Sequence, residues 1–244
     1  MPGAKQILEQ SMAAYGGWDR WKKIRELVVT NRAWGWALSL RGKPRIFSKY
    51  RTLKLFPEQP YLTIDPYPRE DLSGGFVGNK VWIENQGGVV LQERSNPRGY
   101  FASIRRKFFW DDLDALYFGS YAMWNYLTQP FLLNRPEITL QKLEPWSEQG
   151  ETWQRLEASF PEDFPTHSPK QNFYFNEQGR IVRHDYTALV FGTWAKAAHY
   201  SMEFKTFDGF LFPTQRRVWP RRGNNRPFRG FTLVGLHIKD VKVF

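Results

Sequence analysis

The chain contains no cysteine. That excludes disulfides, thiolate metal sites and a lipidated N-terminal Cys. The opening stretch Met1 to Gln10 carries no apolar signal core, so the expected location is the cytoplasm. No apolar run approaches the length of about 20 residues that a membrane-spanning helix needs. A phosphate-cradling glycine loop, a dinucleotide fingerprint, a nucleophile elbow and an HExxH helix are all missing. No cofactor is therefore expected. Acidic residues are the minority charge, at 24 against 35 Lys and Arg, which leaves a net charge of +11. Nucleic acid, an anionic membrane surface and acidic small molecules are all permitted partners on that balance. A solvated basic surface is the plain alternative.

Aromatic residues, by contrast, are abundant at 17% of 244 residues. That supports a sizeable core and some aromatic lining for a cavity. The stretch around which the rest is organised runs from Trp110 to Leu133. Leu113, Leu116, Tyr117, Ser120, Tyr121, Trp124 and Leu127 recur at spacings of three and four, one face of an α-helix. Asp111 or Asp112 suits the N-cap, and Pro130 ends the helix. Residues 111–126 are expected to be helical and enclosed on one face by strands from 170–243.

Almost everything else reads as strand. A first amphipathic helix spans 4–15 and stops at Gly16-Gly17, with a short turn at 18–21. Strands are expected at 24–40, 46–56 and 61–65, then a loop at 66–79. A hairpin follows, 80–84 with 89–93 around Asn85-Gln86-Gly87-Gly88. Residues 100–109 read as a basic helix. Seven strands then run in meander order: 138–143, 152–159, 170–175, 180–189, 197–207, 210–219 and 231–243. The expected architecture is a single α+β domain, 1–244, in which a strongly curved antiparallel sheet forms an incomplete barrel around a central helix.

This order of helix, strands, central helices and long meander resembles the bacterial lipoprotein-carrier fold of the LolA and LolB type. The stretches Ala14-Tyr15-Gly16-Gly17-Trp18 and Asp208-Gly209-Phe210-Leu211-Phe212-Pro213-Thr214 also look like segments of uncharacterised bacterial proteins of that kind. The resemblance implies a hydrophobic cavity between sheet and helices. The chain departs from the carriers in lacking an export signal and a lipobox Cys.

Four histidines carry the candidate chemistry. Strand parity puts Val182, His184, Tyr186, Ala188 and Val190 on one face, with Arg183 and Asp185 on the other. His184 on an apolar face is a candidate acid or base near neutral pH, with Tyr186, His199 or Asp112 assisting. Its plain reading is a satisfied core histidine. His167, His184 and His199 could meet across strands, but their spacing matches no compact metal motif, so no metal is expected. His237 lies on the outward parity of the last strand. Tyr117, Tyr121, Trp124 and Asn125 on the central helix pack a core or line a pocket. Six arginines lie between Arg216 and Arg229, with Trp219 and Phe228 interleaved. They suit phosphate contacts with base stacking, or a grip on an anionic headgroup by a residue such as Arg217. No nucleic-acid motif surrounds them, so that partner is disfavoured. Binding of a hydrophobic or amphipathic small molecule is the leading expectation. Cofactor-independent conversion of such a molecule is the alternative, and peripheral contact with an anionic membrane is a third.

Overall fold

A computed structural model describes residues 2–244. Helix α1 (Ala4–Ala14) and the short α2 (Trp18–Trp21) precede strand β1 (Leu27–Trp34) and a one-turn helix α3 (Trp36–Ser39). Strands β2 (Arg51–Phe56), β3 (Tyr61–Asp65), β4 (Leu72–Val77), β5 (Lys80–Asn85) and β6 (Val90–Ser95) follow as a meander. Then come α4 (Pro97–Tyr100) and the long α5 (Asp112–Thr128). The second meander is β7 (Thr139–Glu148), β8 (Glu151–Ser159), β9 (Lys170–Phe175), β10 (Ile181–Thr187), β11 (Lys196–Phe207), β12 (Phe210–Pro220) and β13 (Val234–Val243).

All thirteen strands belong to one curved, unclosed antiparallel sheet, in the order β6-β5-β4-β3-β2-β1-β13-β12-β11-β10-β9-β8-β7. The first and last strands pair with each other, Leu27 against Val243. The two meanders therefore meet in the middle, and β6 and β7 are the free edges. The chain has to travel from one edge to the other between residues 95 and 139. Helix α5 makes that crossing.

That path explains the burial of α5. Every residue from Leu113 to Thr128 except Gly119 is buried, on all sides of the helix rather than on the single face expected. Its backbone runs nearest β3, β4 and β5. Its other side reaches the second meander through side chains, Tyr126 to Tyr186 at 2.9 Å among them. The N-terminus is closed by a capping box: Asp111 accepts from the Asp114 backbone N–H, and Asp114 accepts from that of Asp111. Arg94 from β6 and Arg106 pair with both carboxylates.

Four sequence expectations shift. The strand expected over 24–40 ends at Trp34, because Gly35 at φ 134° lets the chain pass so close to Leu233 that a side chain would overlap its carbonyl. The strand expected from residue 46 starts at Arg51, after turns. Residues 100–109 hold the last residue of α4 and a 3-10 turn at Arg105–Lys107 in place of a helix. Their apolar residues Ile104, Phe108 and Phe109 stay exposed, so no buried stripe holds a longer helix. Within 66–79, read as loop, lies strand β4. Its Gly74 and Gly75 serve packing instead of a turn. A Cβ at Gly74 would stand 2.6 Å from Leu116 Cδ1 of α5, and Trp82 lies flat against Gly75 on the opposite face.

Helix α5 thus sits against β4 at a spacing only glycine allows. Gly74→Val should overpack this contact and lower the unfolding free energy by about 1–3 kcal/mol in urea titration. Unchanged stability would show that α5 can shift away at no cost.

Candidate functional site

The inner side of β10 to β12 carries polar groups into an apolar interior. His184, Tyr186, His199 and Arg216 are all buried there, and His167 joins them from the loop before β9. Tyr126 of α5 is at their centre. Its hydroxyl lies 2.7 Å from His167 Nε2 and 2.9 Å from the Tyr186 hydroxyl. Tyr121, about one turn earlier, places its hydroxyl 3.2 Å from His167 Nδ1. Either tautomer of His167 leaves one ring nitrogen to accept from a tyrosine and one to donate to the other. The His167 ring stacks on Tyr186 at 3.8 Å, and His199 stands edge-on to Tyr126 at 4.5 Å.

Three histidines thus converge, two from neighbouring strands and His167 from a loop. They converge on tyrosines, and no metal-holding group of His, Cys, Asp or Glu occurs among the described residues. Burial pushes His167 down to about 3 and holds His184 and His199 well below the ordinary imidazole range, so all three are neutral at neutral pH. Arg216 is the one cation in this seam. It donates to Ser201 Oγ (3.2 Å) and the Tyr126 carbonyl (2.9 Å), and its guanidinium lies over the Tyr126 ring. It has no carboxylate partner among the described residues, and desolvation lowers its pKa. Both His199 ring nitrogens are without a hydrogen-bond partner there.

A cleft of about 270 Å³ opens beside this seam. Ala37, Leu40, Phe118, Phe191, Ala197 and Val218 contribute to apolar walls, and His167 and Tyr186 are buried polar groups in its lining. Arg41, Lys196 and Arg221 add three cations, with Trp194 and Phe231 exposed at the opening. A second apolar chamber of about 50 Å³ lies between α5 and β1, β2 and β13. Phe118 and Val234 line both.

Of the residues singled out from sequence, Tyr186 lines the cleft. His184 does not: it stacks on Phe173 at 4.1 Å, with Nε2 2.6 Å from Gln171 Oε1 and Nδ1 3.5 Å from Gln129. His199 is in the polar seam. Asp112 pairs with Lys43 at 2.5 Å and begins α5, about 21 Å along the axis from Tyr126. Tyr117 packs against Phe76 and Phe101, and Trp124 donates to the Phe56 carbonyl. Asn125 bridges the Tyr121 and Pro165 carbonyls. Arg217 points the other way along β12, over Trp34, while its neighbour Arg216 turns inward. His237 meets Tyr50 on the outer side.

The groups that sequence reasoning missed are Arg41, Lys196, Phe118 and Trp194; Arg221 belongs to the arginine run already singled out. The missed groups come from the turn after α3, from α5, from the β10–β11 loop and from the start of β11, so no local pattern marks them. The arginine run itself is dispersed. Beneath it, on the outer face, Arg183 donates twice to Asp185, once to Glu148 and once to the Asn225 carbonyl, which pins the 221–229 loop.

The neutral His167 gives the fold a proton dependence. Unfolded histidine takes up a proton below about 6.5, whereas folded His167 holds it off until about 3. Its contribution is full above the first value and is lost as pH falls through that window. Stability should drop by about 2 kcal/mol between pH 7 and pH 5 from this residue. Chemical denaturation of His167→Phe across that range should take up about one proton fewer on unfolding than the parent. An identical slope in the variant would show that His167 titrates normally.

No family model matches the chain, and no curated protein matches it in sequence. Solved structures do. A protein described as an outer membrane lipoprotein-sorting domain from Vibrio parahaemolyticus aligns over 99% of this chain and 92% of its own, at 12% identity and a TM-score of 0.54. A LolA superfamily protein from Nitrosomonas europaea covers 100% and 94%, at 12% identity and 0.53. A DUF1329 family protein from Desulfovibrio piger covers 100% and 94%, at 13% identity and 0.54. At these identities the likeness establishes architecture, and the chain has the LolA-like fold.

Proposed function

We propose that the protein binds an amphipathic molecule with one apolar chain and an anionic head, in the cleft between the curved sheet and α5. The observation that carries this reading is the composition of that cleft: apolar walls, with Arg41 and Lys196 as cations that have no carboxylate partner among the described residues. An apolar chain would gain about 25 cal/mol for each Å² removed from water. A carboxylate or phosphate head would meet guanidinium groups, which hold such anions in paired hydrogen bonds. The volume of about 270 Å³ suits a single chain better than a bulky multi-chain lipid. The sheet curves around α5 in this reading, so the helix forms one wall and does not fill the whole concavity. The likeness to a lipoprotein-sorting domain supports an apolar chain as cargo.

Binding is favoured over conversion by the protonation states. His184 lies outside the cleft lining, and His167, which is in it, is neutral and held by two tyrosines. A group that titrates far from neutrality makes a poor acid–base catalyst at neutral pH.

Displacement of a fluorescent fatty acid should show one site per chain. Arg41→Gln with Lys196→Gln should weaken a carboxylate ligand by about tenfold or more while leaving a neutral alcohol of the same length almost unaffected. Phe118→Ala should join the two chambers and raise the chain length that binds best. Equal losses for acid and alcohol would remove the headgroup assignment. Absence of binding to the parent protein would remove the whole reading.

A further inference from the structure

The border of the cleft carries an unusual concentration of exposed apolar side chains. Trp194 is 71% exposed, Phe109 66%, Leu40 59% and Trp36 58%. Scattered singly, such residues need no explanation. These are not scattered. Leu40 and Trp194 line the cleft itself. Trp36 begins the same helical turn as Leu40, and its backbone N–H donates to Thr232, beside Phe231. Phe108 and Phe109 run directly into Trp110, whose N–H donates to the Arg41 carbonyl and whose ring packs on Phe191 at 4.6 Å. Four separate chain segments therefore put aromatic and aliphatic side chains around one opening.

Cations accompany them. Arg105 and Lys107 lie in the 3-10 turn before Phe108, Lys196 follows Trp194, and Arg222 sits in the loop that leads to Phe231. All four are exposed, and none forms an ion pair among the described residues, although the neighbouring Arg106, Arg221 and Arg229 do. The rim therefore combines indole and phenyl groups with unneutralised positive charge. Trp partitions to the headgroup level of a bilayer, and Lys and Arg are drawn to anionic lipid there.

We infer that this rim docks on the surface of a membrane containing anionic phospholipid, with the cleft mouth against the headgroups. The inference rests on the proposed amphiphile site and says where its ligand enters. A chain leaving the leaflet would pass between Leu40, Trp194 and Phe231 into the cleft without crossing water. No helix among the described residues is long and apolar enough to cross a membrane, and the contact inferred is peripheral.

Flotation with vesicles tests this. Vesicles of phosphatidylcholine alone are compared with vesicles of equal parts phosphatidylcholine and phosphatidylglycerol, at low and high salt. The protein should float with the mixed vesicles at low salt, and much less with phosphatidylcholine alone or at high salt. Arg105→Gln with Lys107→Gln should weaken partitioning about thirtyfold, about fivefold for each cation. Trp194→Ser with Phe109→Ser should weaken it further in the presence of unchanged charge. Both pairs are exposed, so circular dichroism melts should match the parent. No flotation with mixed vesicles at low salt would overturn the inference. So would full retention of binding in the Trp194/Phe109 variant, which would reduce the contact to diffuse charge attraction. Titration of a fluorescent fatty acid without vesicles separates the two ideas. Ligand binding with no flotation sinks the docking surface alone, and flotation with no ligand binding sinks the amphiphile site alone.

Discussion

The structure depends on the need to carry the chain from one free edge of the sheet to the other. Strands β6 and β7 are consecutive in sequence and farthest apart in the sheet. Helix α5 spans that distance on the inner side, and this forces it to be apolar almost all round. Nothing there is solvated, so a polar residue on any of its faces costs stability unless it finds a partner, and the buried Ser120 Oγ has none among the described residues. Tyr121 and Tyr126 find His167, Asn125 finds two carbonyls, and Thr128 bonds back to Trp124. The ends are handled separately. Four charged side chains, Asp111, Asp114, Arg94 and Arg106, hold the first turn of α5 to the β6 edge. Aromatic stacking of Trp21 on Phe131 at 4.2 Å fastens the segment just after it to the N-terminal helices.

The polar seam and the cleft follow from this arrangement. Because α5 sits nearest β3, β4 and β5, it leaves more space toward the later strands. Large side chains fill part of that space: His167 and the Tyr121, Tyr126 and Tyr186 hydroxyls satisfy one another, while His199 is buried without a partner among the described residues. The rest stays open as the cleft. The two kinds of surface have different physical roles. The Tyr126–His167–Tyr186 network fixes the wall, since a partly satisfied network would be less stable than an apolar one. Arg41 and Lys196 line the cleft without a carboxylate partner among the described residues, whereas the Arg221 guanidinium is held by Asn225 Oδ1 at 3.0 Å and lies 3.7 Å from Asp185.

A second buried ionic cluster, Arg183 with Asp185 and Glu148, sits on the opposite face of the same strands. It is closed over by Tyr174, Tyr200 and the 221–229 loop. The cluster shapes the site indirectly. By holding Asn225 it sets the path of the loop from which Arg221 reaches the cleft and Phe231 its border.

Residue periodicity alone determined the central helix, the strands of the second meander and the parity that turns His184 and Tyr186 inward and Arg183 and Asp185 outward, while the structure chose Asp111 over Asp112 as the cap. These depend on spacings of two, three and four along the chain, and such spacings are local. The glycines of β4 were misleading for the same reason: Gly74-Gly75 has the local chemistry of a turn, and only the arrival of Leu116 and Trp82 from elsewhere makes it a strand. The cleft was beyond local reading altogether. Arg41, Phe118, Lys196 and Arg221 are scattered over 180 residues of sequence and become neighbours only when α3, α5 and the loops around β11 and β12 close on one another. The arginine run shows the converse. Arg216 and Arg217 are adjacent in sequence, yet the pleat of β12 sends one into the core beside Tyr126 and the other out over Trp34, because successive side chains of a strand face opposite sides.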